Sequence, residues 1–167
     1  LSTVQDLERI ISDLVEILQT FNPDVNLIFT VSPVRHIKDG VVENNRSKSQ
    51  LISALHKVLE CKCSPKILYF PSFEMMMDEL RDYRFYKRDL IHPNELAVDL
   101  IWGKFQSAFI SKTINGDMAK VDKLQKSMAH RSENSSGEVY EKFKAFQCKL
   151  KEELAQAYSF MNFGEDD

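Results

Sequence analysis

The sequence predicts an α/β fold in which parallel strands are covered by helices, with a helical hairpin at its carboxyl end. Two short runs rich in β-formers, residues 25–31 and 67–70, are separated by a stretch with helical apolar spacing. Strands joined through a helix pair in parallel, because the chain must cross a sheet face to return. The composition agrees: 43% hydrophobic and 28% charged residues, with only five Gly and five Pro among 167, is that of a chain able to bury a core.

Taken in order, Val4, Leu7, Ile10, Ile11, Leu14, Val15 and Leu18 mark an amphipathic helix, and Thr3 with Asp6 has the spacing of a capping box. Asn22-Pro23-Asp24 ends that helix ahead of the first strand. A polar loop containing Asp39-Gly40 is expected next, then a helix carried by Leu51, Ile52, Leu55, Val58 and Leu59, then the second strand. Phe73, Met76, Met77 and Leu80 suggest a short helix with the methionines as core packing. Pro93 suits the first turn of a longer one reaching Ser111, with Leu96, Leu100, Ile101, Phe105 and Phe109 on its buried side.

Two strands are few for a parallel sheet, so about half of it is expected to come from elsewhere. Beyond Asn115-Gly116-Asp117 two stripes, Met118/Val121/Leu124/Met128 and Val139/Phe143/Phe146/Leu150/Leu154/Ala157/Met161, predict antiparallel helices joined by an exposed turn at 132–137. The expected division is therefore 1–112 for the α/β part and 113–167 for a helical extension.

Twenty-two Lys and Arg against 25 Asp and Glu leave a formal charge of −3, which argues against nucleic acid as a partner. The cationic and aromatic stretch 81–88 is interrupted by acids and reads as a solvated rim. No apolar run approaches the roughly 18 residues of a membrane span, and no signal peptide is evident, so the cytoplasm is the default expectation. Cys61, Cys63 and Cys148 read as reduced thiols, and His56 and His130 lack neighbouring ligands, so neither metal nor cofactor is expected.

Chemistry concentrates in two segments. Asp89-Leu90-Ile91-His92 places a carboxylate three residues before an imidazole, close enough to accept its Nδ1–H and leave Nε2 as a general base; the alternative is that both residues cap the next helix. Arg35 and His36 leave the first strand at its carboxyl end, where parallel sheets bind ligands; Arg35 could hold an oxyanion, carboxylate or hydroxyl, or could tie down its loop. A serine nucleophile is hard to place. Ser32 precedes Pro33, which has no N–H for an oxyanion, and Ser72 lacks flanking glycines and suits an N-cap.

Four segments, TVSPVRHIKDG (30–40), ENNRSKSQL (43–51), YFPSFEMMMDELRDYRFY (69–86) and DLIHPNELAVDLIWGKF (89–105), together resemble the GSCFA family over roughly residues 1–110. The resemblance implies a branch of the SGNH, or GDSL-type, hydrolases: a flavodoxin-like three-layer α/β/α fold with a Ser-His-Asp site. It makes His92 the base and Asp89 its orienting acid, and it puts Arg35 and His36 at the active-site edge without fixing their roles; contact with the substrate is the expectation for both. The Gly-Ser-Cys-Phe-Ala segment that names the family is not in this sequence. The expectation is thus the carboxyl-terminal portion of a serine esterase or acyltransferase acting on an O-acyl ester of a carbohydrate or cell-envelope molecule, inactive by itself. The competing expectation is a non-catalytic interaction module, self-associating through its sheet edge or carboxyl-terminal helices.

Overall fold

In the computed structural model, which describes residues 2–62, 64–129, 137–161 and 163, helix α1 (Val4–Phe21) begins with the capping box read from the sequence. The Thr3 hydroxyl accepts the Asp6 N–H at 3.1 Å and the Asp6 carboxylate accepts the Thr3 N–H at 3.1 Å, which satisfies two amides a helix start leaves free. Strands β1 (Leu27–Phe29) and β2 (Ile67–Tyr69) pair in parallel, with Leu27 opposite Ile67, Ile28 opposite Leu68 and Phe29 opposite Tyr69. Helix α2 (Gly40–Lys62) is the crossover between them. The α/β expectation holds at this level, in a chain that is mostly helical.

Alternation along the strands decides what they cover. Phe29 and Tyr69 pack on a cluster formed by Ile11 of α1, Val31, and Ala54, Leu55 and Val58 of α2. Full burial of such an aliphatic side chain is worth about 1.5–3 kcal/mol, so this cluster holds the two helices on the sheet. Ile28 and Leu68 point to the other face and are each 38% exposed.

Several boundaries differ from expectation. The loop around Asp39-Gly40 is short: a 3₁₀ turn (Ile37–Asp39) leads directly into α2, and Gly40, at φ +85°, makes the change of direction. Helix α2 starts a turn before the segment 43–47 whose Asn and Ser suit a helix start, with Val41 and Val42 exposed in that first turn, and its apolar stripe against the core begins only at Leu51. Met76 is buried as core packing, but its segment is one helical turn, α3 (Ser72–Glu74), continuing into a π-helical turn (Met75–Glu79) closed by Leu80 N–H to the Met75 carbonyl at 2.9 Å. Helix α4 (Glu95–Phe109) starts after Pro93, not with it. Asn94 is the cap, its side-chain oxygen accepting the Ala97 N–H at 3.1 Å.

The contacts divide the chain into two compact units, Leu1–Phe105 and Gln106–Asp167. In the second, α5 (Asn115–Ala129) and α6 (Glu138–Ala157) pack antiparallel: Tyr158 O–H donates to Asp117, Gln147 to the Ser127 hydroxyl, and Leu124, Leu150 and Leu154 form the buried seam. Met128 and Phe146, assigned to that seam by spacing, are exposed, and Ser127 is buried in their stead. The turn expected at 132–137 falls on residues of which only Gly137 is described, and Cys63 and His130 also lie outside the described residues.

Candidate functional site

The loop ahead of α4 is built like a small hairpin. Tyr86 and Pro93 form an antiparallel bridge, Lys87 N–H donates to the His92 carbonyl at 2.8 Å, and Asn94 N–H donates to the Phe85 carbonyl at 2.9 Å. Asn94 also donates from its side chain to the Arg84 carbonyl, so the residue that caps α4 fixes where the helix meets the loop. At the tip, Leu90 N–H turns back to the Lys87 carbonyl at 2.9 Å, and Leu90 takes φ +58°, the only non-glycine residue with positive φ among those described. A β-carbon in that left-handed region costs roughly 1–2 kcal/mol, so surrounding contacts must hold the turn.

Two sets of contacts hold it. From within, one carboxylate oxygen of Asp89 accepts the backbone N–H groups of Ile91 (2.9 Å) and His92 (3.1 Å). From without, Arg35 donates its backbone N–H to the Ile91 carbonyl at 3.3 Å and its guanidinium to the Leu90 carbonyl at 3.0 Å. That guanidinium also lies over the Tyr86 ring, 4.4 Å from its centroid. Of the two roles the sequence left open for Arg35, loop attachment describes its contacts; the loop it attaches carries Asp89 and His92.

With one Asp89 oxygen occupied by amides, the other faces the imidazole, Oδ2 standing 2.7 Å from His92 Nδ1. Neither residue caps α4, since Asn94 does. The Ile91 amide bond first, and then the His92 side chain and amide, lower the Asp89 carboxyl to a pKa of about 2. It is therefore ionised at neutral pH and can only accept, which selects the tautomer with the proton on Nδ1. His92 Nε2 has no hydrogen-bond partner among the described residues, and the side chain is 52% exposed. In the neutral ring this arrangement leaves Nε2 without a proton and open to solvent, as a general base requires.

His36 lies at the other end of Arg35's loop. Its backbone N–H donates to Asn44 Oδ1 at 2.7 Å, and its Nδ1 stands 3.3 Å from Asp39 Oδ2. His36 and Arg35 line a cleft of about 340 Å³ with Ser32, Asn44 and Lys48. Ser32 accepts the Val34 N–H on its hydroxyl and the Lys48 ammonium on its carbonyl. Ser72 is no helix cap: it is buried, its hydroxyl donating to the Val31 carbonyl at 2.9 Å and bonded to Thr30, which ties β1 to the segment after β2. No group of three or more His, Cys, Asp or Glu among the described residues is placed to hold a metal ion, and no helix among them is long and apolar enough to cross a membrane.

The roles of Tyr86, Asn94 and Lys48 are not among the sequence readings, and Asn44 reads there only as a residue suited to the start of a helix near the same edge. Asn94 was legible as a good cap two residues before a helical stripe. The other three act through partners distant in sequence, and those contacts carry no local signal.

A model of the GSCFA family matches residues 1–105. No curated protein and no solved structure matches the chain.

Proposed function

The chain belongs to the GSCFA family, and on that premise we propose that residues 89–92 are the base and orienting acid of an SGNH-type ester hydrolase or acyltransferase whose serine nucleophile lies outside this sequence. The observation that carries the proposal is the 2.7 Å contact of Asp89 with His92 Nδ1, made by a carboxylate whose other oxygen is already held by two amides. A flavodoxin-like sheet, of which β1 and β2 are two strands, and a helical extension over 113–167 complete the proposed architecture.

The chemistry follows from the free Nε2. As the serine Oγ attacks the acyl carbon, His92 Nε2 takes the hydroxyl proton, and Asp89 stabilises the imidazolium that results. The proton then passes to the departing alcohol oxygen as the ester C–O bond breaks, leaving an acyl-serine. Water in a hydrolase, or a second alcohol in a transferase, releases the acyl group by the same route reversed. Arg35 is a positioning residue in this scheme, because it reaches the reacting groups only through the Leu90 and Ile91 carbonyls.

The test uses a protein that contains both this chain and the Gly-Ser-Cys-Phe-Ala segment. It is expected to hydrolyse short p-nitrophenyl esters and to lose that activity on His92→Ala, while the present chain alone shows little. Activity indifferent to His92→Ala would reject the assignment. That outcome would favour a non-catalytic interaction module, which draws on the partly exposed sheet face at Ile28 and Leu68.

A further inference from the structure

The cleft beside the Asp89/His92 loop has a composition that constrains its ligand. Arg35 and Lys48 bring two positive charges to its lining, Asp39 and Glu43 two negative ones, and Ser32 and Asn44 neutral hydrogen-bonding groups. The balance disfavours a phosphate or carboxylate, which would meet both acids, and equally a cation. At about 340 Å³ it stands at the lower end of the 300–1,000 Å³ typical of small-molecule sites, enough for one ring and not for a chain.

Both donors and acceptors line it and are only partly used, Asp39 facing His36 Nδ1 at 3.3 Å and Glu43 facing Arg46 at 3.8 Å with one carboxylate oxygen each. Asn44 spends its side-chain oxygen on the His36 N–H, which leaves the amide N–H groups to donate. Lys48 donates one of its three N–H bonds to the Ser32 carbonyl at 2.7 Å and has no carboxylate partner among the described residues. Partial burial pushes its ammonium pKa down, as expected of a cation short of water. Asp39 and Glu43 can only accept. A set that mixes obligate donors with obligate acceptors suits groups that are both at once, and adjacent hydroxyls on one ring are such groups. Val34 and Leu51 supply the apolar wall against which the C–H face of a ring would lie.

We propose that this cleft binds a single neutral sugar ring, and that it is the subsite for the alcohol part of the ester; the second clause rests on the hydrolase proposal above, whereas the first does not. Arg35 joins the two regions, since it lines the cleft and donates to the Leu90 carbonyl between Asp89 and His92. A ring seated here therefore lies against the residue that positions the base.

The experiment is a backbone and side-chain amide NMR titration of the full chain with methyl hexosides and N-acetylhexosamines, and with acetate and inorganic phosphate as anionic arms. At least one sugar is expected to shift the Asn44 side-chain amide with a Kd of about 1–10 mM. Asn44→Asp, which keeps the acceptor for His36 N–H and removes the donors, and Lys48→Met should each weaken that sugar at least about tenfold. Retained protection of the His36 amide from solvent exchange in Asn44→Asp verifies that the loop is intact, and Lys48→Met gives the answer independently if it is not. The proposal is overturned if no sugar in the panel shifts these resonances, or if acetate or phosphate saturates them at lower concentration. Because no ester is cleaved in this titration, its failure leaves the Asp89/His92 assignment standing, and failure of the esterase assay leaves the sugar site standing.

Discussion

The molecule contains two aspartate and histidine pairs at the same spacing, and they are built differently. Asp89 and His92 meet at 2.7 Å in a loop held by a backbone bridge, two amide bonds to the carboxylate and the Arg35 clamp. His36 and Asp39 stand 3.3 Å apart across a 3₁₀ turn, with side chains 66% and 56% exposed. Spacing brings an acid near an imidazole in both. Only the first has a backbone that uses up one carboxylate oxygen and aims the other, so preorganisation, not proximity, separates a candidate catalytic pair from a surface contact.

The sharpest way to break this comparison is to remove each imidazole from the longer, active protein. His92→Ala is expected to lower kcat for a p-nitrophenyl ester about 10,000-fold, the scale on which triad members act. His36→Ala, at the rim of the sugar cleft, should cost no more than about tenfold and chiefly in KM with a sugar ester. Equal losses would place the two pairs on the same footing.

Next in size is the clamp. Arg35→Ala removes a bond to the Leu90 carbonyl and the stack on Tyr86, and is expected to destabilise the chain by about 1–3 kcal/mol in urea unfolding. Amide exchange should rise most at residues 90–92, whereas a merely distributed effect would spread over the first unit. Lys in its place keeps the charge without the planar stack and should recover only part of the loss.

A smaller effect of opposite sign is expected at Leu90. Its φ of +58° suits glycine, and its side chain is 48% exposed, so little packing is lost on truncation. Leu90→Gly should stabilise the chain by up to about 1 kcal/mol. Destabilisation would mean that the leucine side chain itself matters to the loop.

The smallest effect is acidic. Because the folded Asp89 pKa is depressed to about 2, its contribution to stability is complete above the ordinary carboxylate value of about 3.9 and is lost as pH falls through about 2. The Ile91 and His92 amide resonances should follow that late titration, and movement near pH 4 would show that Asp89 does not hold them.

What the sequence made legible was local. The Thr3/Asp6 capping box and the two β-rich runs lie within a few residues and have one physical interpretation each, whereas the equally local Asp89/His92 spacing admitted two, an acid and base pair or caps of the next helix. The apolar stripe of α2 starts only at Leu51 because residues 43–50 are polar on every side, and the earlier part is marked only by Asn and Ser at 44–47, which suit a helix start. The π-turn at Met75–Glu79 escaped because a single extra residue per turn barely disturbs the apolar spacing. Arg35's attachment joins residues 55 apart in the chain, and no periodicity encodes such a contact. The same holds for the cleft, whose lining runs from Ser32 to Leu51 and becomes a surface only once the 3₁₀ turn folds His36 back onto Asn44.

The most direct test of the central claim is the protonation state of the His92 ring, read by long-range ¹H–¹⁵N correlation with the imidazole neutral. The structure predicts the proton on Nδ1 and a bare Nε2 in the parent chain, and the reverse in Asp89→Asn, whose amide would donate to Nδ1. A proton on Nε2 in the parent, or a ring unaffected by Asp89→Asn, would contradict it.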